Sequence, residues 1–190
     1  MRKSIVYISL GIILAGALAG AFVANTAAVA TGNGVEILAG DLKQQLDIFT
    51  HYSKVIREAQ GLPAEPDAAF VLEVRRLALD SLIEQQLVFS ELLSREGEAE
   101  VELGVKAKLA ASTSTATLAD AVEALYGVSA AEFESAVLVP IARQELLLDS
   151  FGGEAAQLDS WLVQARQQAA VMILISDLAW NGTEVVKNEQ

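Results

Sequence analysis

The sequence predicts a mainly α-helical domain behind one N-terminal transmembrane helix, with a short two-stranded β element joining the domain's two ends. Three observations predict it. An uncharged apolar stretch opens the chain, and apolar residues then recur at helical spacing through most of its length. Two short apolar runs, one near each end of the domain, do not fit that spacing. Helical periodicity marks faces that pack on a core, and apolar runs without it mark strands.

Arg2 and Lys3 precede a stretch with no charged residue until Glu36, and its apolar heart covers residues 5–24. At ~1.5 Å per residue, about 20 helical residues cross a ~30 Å hydrocarbon layer. The basic flank stays in the cytoplasm, which places the rest of the chain outside. A competing reading is a cleaved signal peptide, because Ala28-Val29-Ala30 forms an A-x-A site. Secretory apolar cores usually run only ~7 to 15 residues, so the length favours a retained single-pass anchor in the cell membrane. The alternative is a secreted or periplasmic protein cut near Ala30. The expected division is an anchor over 1–24, a linker over 25–33, a helical domain over 34–180 and a flexible tail over 181–190.

The 190 residues are 53% hydrophobic and 20% charged with 3 prolines, a composition that buries a core. A formal net charge of −12 argues against a nucleic-acid partner, since neutralising phosphates takes clustered Lys and Arg. With no cysteine there is no disulfide, thiolate metal site, cysteine nucleophile or lipidated cysteine.

In chain order, the first strand candidate is 32–38, where Val35 and Ile37 alternate with Glu36 after the turn-prone Asn33-Gly34. From Asp41, the residues Leu42, Leu46, Phe49 and Ile56 form one helical stripe that ends near Gln60, before the breaker "GLPAEP". The next helix runs from Asp67 to about Ser94. It is apolar around most of its circumference except for a strip of Glu73, Asp80, Glu84 and Glu91, as expected of a central helix. Two shorter helices flank a Ser/Thr-rich loop over 111–117. The acidic run Glu96, Glu98, Glu100 and Glu102 lacks EF-hand spacing and reads as a solvated face.

A capping box, Ser129 with Glu132, opens the following helix, and Gly152-Gly153 closes it. Its expected stripe is Phe133, Val137, Ile141, Leu148 and Phe151, with a kink at Pro140. In the last helix Leu158, Trp161, Leu162, Ala165 and Ala169 share a face. Residues 171–175 are apolar throughout, which suits a buried strand better than a continued amphipathic helix. A lone strand leaves its backbone groups unpaired, so 171–175 is expected to pair with 35–38.

The order "NGVEILAGDL", "VRRLALDSLIEQQLVFSELL", "ATLADAVEALYGVSAAEFESAVLVPIARQELLLDSF" and "SWLVQARQQAAVMILIS" resembles the chaperone module of the SurA-like, parvulin-type foldases, over residues 34–176. The resemblance implies a short N-terminal strand leading into a helical core, completed by a C-terminal helix and strand returning from the far end of the chain. In that family prolyl-isomerase domains sit between core and returning helix. Here Phe151 is followed through Gly152-Gly153 by the last helix almost at once, and the chain has 1 histidine. The resemblance therefore implies holding without isomerisation, that is, binding of non-native exported polypeptides.

His51 reads as a boundary residue, because a general base needs a nucleophile and an orienting acid beside it. Glu132 and Glu134 are two apart and point to different sides of a helix. No Glu-x-x-His pair suits a di-iron bundle. "NGT" at Asn181 matches a glycosylation sequon by chance, Trp161 belongs in the core, and Trp180 is expected partly wet. The sequence thus assigns no catalytic, cofactor or metal residue, no oligomeric state and no client-binding residue. The expected partners are unfolded or newly exported polypeptides and, through the N-terminal helix, the membrane. The expected function is a non-enzymatic, membrane-anchored, ATP-independent holdase, with an adaptor that docks one envelope partner as the alternative. Fractionation tests the anchor: the chain should stay with membranes, and soluble protein beginning at Thr31 would contradict it.

Overall fold

The computed structural model describes residues 25–62, 66–112 and 117–188, so the anchor expected over 1–24 lies outside the described residues. The chain is mainly helical, with two small antiparallel sheets. A hairpin of β1 (Ala28–Gly32) and β2 (Val35–Leu38) comes first. Six helices follow: α1 (Ala39–Ala59), α2 (Ala68–Glu96), α3 (Glu98–Ser112), α4 (Thr117–Tyr126), α5 (Ala130–Ser150) and α6 (Ala155–Gln168). Short strands β3 (Met172–Ile173), β4 (Leu178–Trp180) and β5 (Val185–Lys187) end the described chain.

Local chemistry sets these boundaries. Gly34 supplies the positive φ, +72°, that the Asn33-Gly34 turn needs. Asp67 caps α2 by accepting the Phe70 N–H at 2.7 Å, and Gly97 ends that helix at φ +82°. The Ser129–Glu132 capping box forms in full: the Ser129 hydroxyl accepts the Glu132 N–H, and the Glu132 carboxylate accepts the Ser129 N–H at 2.9 Å. The Ser129 hydroxyl also donates to the Glu132 carboxylate at 2.6 Å, and that bond, together with the Ser129 N–H, holds the Glu132 carboxyl below the usual carboxylate range.

Helix α2 is the axis of the molecule. Ala78, Leu79, Ile83 and Leu87 pack with Val35, Ile37 and Leu42 from the N-terminal part and Ala169, Val171, Leu178 and Val185 from the C-terminal part. Farther along, Val88 and Leu92 meet Val101, Leu147 and Leu158 in a second cluster, and Trp161 packs against both clusters.

The kink expected at Pro140 takes the form of a π-helical turn, Glu134–Leu138, just before it. Proline has no N–H for the Ala136 carbonyl and its ring crowds that position, and a wider turn relieves both. One extra residue in a turn rotates everything downstream by about 100°. The buried positions therefore become Ala142 and Leu147, while Ile141, expected in the core stripe, is 47% exposed.

The closure of the chain differs from the simple pairing expected. Residues 171–175 do not pair with 35–38. Strand β1 lies between them, in the order β2-β1-β3, with Ala30 opposite Ile173 and Thr31 opposite Met172. The presumed linker over 25–33 thus supplies the central strand, and the A-x-A site lies inside it with Ala30 fully buried. Small residues at 28–32 permit this, because a strand flanked on both sides has little room. A Cβ on Gly32 would fall 2.7 Å from the Ala169 carbonyl oxygen and 3.0 Å from the Val171 Cα. Only one face of 171–175 is buried: Val171 is covered, whereas Met172 and Leu174 are exposed. The expected tail is ordered over 181–188, where β5 pairs with β4 and Val185 is fully buried.

Helix and strand join at Ala170, which takes a left-handed φ of +48° without being glycine. The hairpin turn caps the helix end there: the Asn33 N–H donates to the Ala169 carbonyl at 2.7 Å, and the Asn33 side chain to the Gln168 carbonyl at 3.3 Å. The acidic strip on α2 receives the returning segment. Arg166 donates to Asp80 at 3.0 and 3.1 Å and to Glu84 at 2.6 Å, while the Val185 N–H donates to Asp80 at 2.9 Å. Burial opposes the Arg166 charge, but its bonds to Asp80 and Glu84 outweigh that and raise its pKa. Glu73 holds Arg76 at 2.7 Å and Lys187 at 3.3 Å, and Arg75 reaches Asp177 at 2.7 Å.

Two substitutions at this junction should act differently. Gly32→Ala forces a methyl group into backbone and should cost about 2 kcal/mol, or about 6 °C in melting temperature. Ala170→Gly relieves a left-handed alanine worth ~1 kcal/mol against a similar glycine entropy cost, so it should not lower the melting point. A Gly32→Ala protein that melts like wild type would contradict the close approach.

Candidate functional site

An apolar groove of about 360 Å³ runs between α1 and the start of α2. Leu46, Thr50, Ser53 and Lys54 form one wall, and Phe70, Val71 and Val74 the other, with Pro66 at one end. The groove follows from the composition of α2. That helix is apolar around more of its circumference than the core covers, and the surplus surfaces here: Phe70 is 38% and Val71 43% exposed. The Arg57 guanidinium stands 5.9 Å from the centre of the Phe70 ring, a cation over an aromatic face at the groove. Sequence reasoning assigned no residues to a groove. The signal that points to it is the excess of apolar residues at the start of α2, where one core needs only one stripe.

On the other side of the molecule, Arg143 of α5 lies over the Phe89 ring at 3.7 Å, beside a cavity of about 440 Å³ formed with α3. Its Nε is buried with no hydrogen-bond partner, and burial lowers its pKa. Glu98 and Glu102 of the acidic run line the same cavity together with Glu134, whereas Glu132 is taken up by its cap. Among the described residues no group of three His, Cys, Asp or Glu side chains is placed to hold a metal ion.

His51 is half-buried where α1 meets the turn between α4 and α5. A ring nitrogen lies 3.4 Å from the Ala124 carbonyl oxygen. Gly127 permits that contact, since a Cβ there would sit 2.5 Å from Nδ1 of His51. Nearby, Tyr52 stacks on Tyr126 at 5.3 Å, and Tyr126 meets Phe133 at 4.6 Å. Asn181, the sequon residue, makes the β4–β5 turn: its Oδ1 accepts the N–H groups of Thr183 at 2.9 Å and Glu184 at 3.0 Å. Trp161 packs on both cores and Trp180 is half-buried against the first.

Among the described residues no single helix is long and apolar enough to cross a membrane. The pair Ala119–Tyr126 and Ala130–Ser150 reaches that composition only together, across a 76° bend. No protein-family model, curated protein or solved structure matches the chain.

Proposed function

We propose that the protein is a membrane-anchored, extracytoplasmic, ATP-independent holdase that binds non-native exported polypeptides in the groove between α1 and α2. The observation that carries this reading is the groove itself, an apolar trough whose side chains remain partly exposed at Phe70 and Val71. Such a trough suits the apolar face of a short client segment, with exposed apolar surface marking a site of interaction. The membrane part of the proposal rests on the uncharged stretch over residues 5–24. It gains support from the exposed apolar pair Met172 and Leu174, beside the strand that follows that stretch. The net charge of −12 keeps a sticky domain dispersed at its site of work. No enzymatic step forms part of the proposal. The same groove also suits an adaptor: at about 360 Å³ it is large enough for one anchoring turn of a dedicated partner helix.

The experiment is aggregation of an unrelated unfolding protein without ATP. Wild type should suppress it, and Val71→Asp should weaken client binding about tenfold, the equivalent of ~1.4 kcal/mol. Because Val71 is a surface residue, that variant should melt within about 2 °C of wild type. Unchanged suppression by Val71→Asp would remove the groove from the account. A single stoichiometric partner, together with no effect on unrelated clients, would favour the adaptor.

A further inference from the structure

The uncharged stretch over residues 5–24 and the sheet are joined without slack, because β1 begins at Ala28. The residues between them are already fixed to the domain. The Ala27 carbonyl accepts the Ala39 N–H at 2.8 Å, and the Asn25 carbonyl oxygen lies so close to the start of α1 that a Cβ on Gly40 would fall 3.1 Å from it. A chain cut after Ala30 would lose three of the five residues of β1, and with them the central strand of the sheet. Strand β3 runs antiparallel to β1, so its far end lies beside the point where the chain enters the domain: the Leu174 N–H donates to the Val29 carbonyl at 2.8 Å. Met172 and Leu174 are 64% and 54% exposed, more than either Phe70 or Val71 in the trough. Two apart on extended chain, they point to the same side.

Position and size select what covers this pair. From Ala24 to Val29 the chain reaches at most about 18 Å, and the helical turn at 25–26 shortens that. With residues 5–24 in the hydrocarbon, the strand beside Val29 therefore stands at the edge of a headgroup layer about 5 to 8 Å deep. A second copy of the chain is a poor occupant, since two exposed side chains fall far short of the roughly 800 Å² per partner that a stable interface buries. A tethered surface needs much less area, because its second contact is intramolecular. Glu36 of β2 and Met172 of β3 both lie opposite Thr31, on the two outer strands of the sheet. The sheet is thus apolar along β3 and acidic along β2. We infer that the β3 margin docks on the bilayer: Met172 and Leu174 enter the lipid interface and fix the tilt of the domain against the membrane. The contact is apolar, as a domain in a chain of net charge −12 gains nothing from anionic headgroups. This inference rests on the membrane anchor proposed above and adds a second lipid contact to it.

The test uses the full chain in phosphatidylcholine nanodiscs, one chain per disc. The chain has no cysteine, so Met172→Cys and Leu174→Cys each give one site for a fluorescent label, and Leu103→Cys, exposed on α3, serves as the control. All three positions are on the surface, so the variants should melt within about 2 °C of wild type. Phosphatidylcholine spin-labelled near the headgroup should quench the labels at 172 and 174 about threefold more than the label at 103, as expected for side chains buried ~5 to 10 Å into the interface. Aqueous iodide should show the opposite order. A chain that enters nanodiscs but whose labels at 172 and 174 are as open to iodide as the control contradicts the docking and leaves the anchor standing. Protection from iodide without quenching by the lipid label means that protein covers β3, and it overturns the inference as well. A chain that does not enter nanodiscs contradicts both the anchor and the docking.

Discussion

Strand β1 is hydrogen-bonded along both edges, and the rest of the structure depends on that. One edge is satisfied locally, by β2 across a tight turn. The other can be satisfied only by a segment from the far end of the chain, and β3 supplies it, with the Leu174 N–H donating to the Val29 carbonyl at 2.8 Å. A buried strand with one open edge would leave donors and acceptors unpaired in an apolar setting. The fold must therefore bring its last helix back past the hairpin. The turn between β1 and β2 then caps that helix, and Ser90 of α2 donates to the Gly34 carbonyl at 3.0 Å, locking the turn to the central helix.

Electrostatics fixes the path of the return. Asp80 and Glu84 stand one turn apart on α2, so both face the same way. Arg166 bridges them, and Asp80 also accepts the Val185 N–H, which ties α6 and β5 to one spot. Buried ion pairs add little net stability, because desolvation offsets attraction, yet leaving two carboxylates without their cation is costly. Their effect is to select one docking of the C-terminal segment over others. Apolar burial of Val171, Leu178 and Val185 supplies the stabilisation, at roughly 1.5 to 3 kcal/mol for each large side chain.

The helices were legible because their signals are local. Asp67, the Ser129–Glu132 box and Gly152-Gly153 mark boundaries that the structure keeps. The central role of α2 followed from its apolar circumference. Strand β1 was not legible: Ala28-Val29-Ala30-Thr31-Gly32 is short and small, and it becomes a strand only through partners on both sides. The rotated face of α5 was hidden as well, since a proline announces a disturbance and not whether a kink or a π-helical turn absorbs it. For β4–β5 a signal existed. Asn181-Gly182 between apolar residues is a hairpin cue, and reading the same residues as a sequon obscured it. Of the candidate site, the apolar trough was implicit in the surplus apolar residues of α2.

Closure by the C-terminal segment and the apolar trough are linked through α2, which forms a wall of the trough with one part of its surface and holds Arg166 with another. A domain held shut at one seam can present sticky surface elsewhere without unfolding. The most direct measurement is hydrogen exchange on a chain truncated after Gln168, which removes β3, β4 and β5. Protection should be lost at Ala30, Val35 and Ile37 and through Ala78–Leu87 of α2, because β1 loses an edge and the first core its C-terminal half. Protection at those amides equal to that of the full chain would contradict the central claim that the returning segment completes the fold.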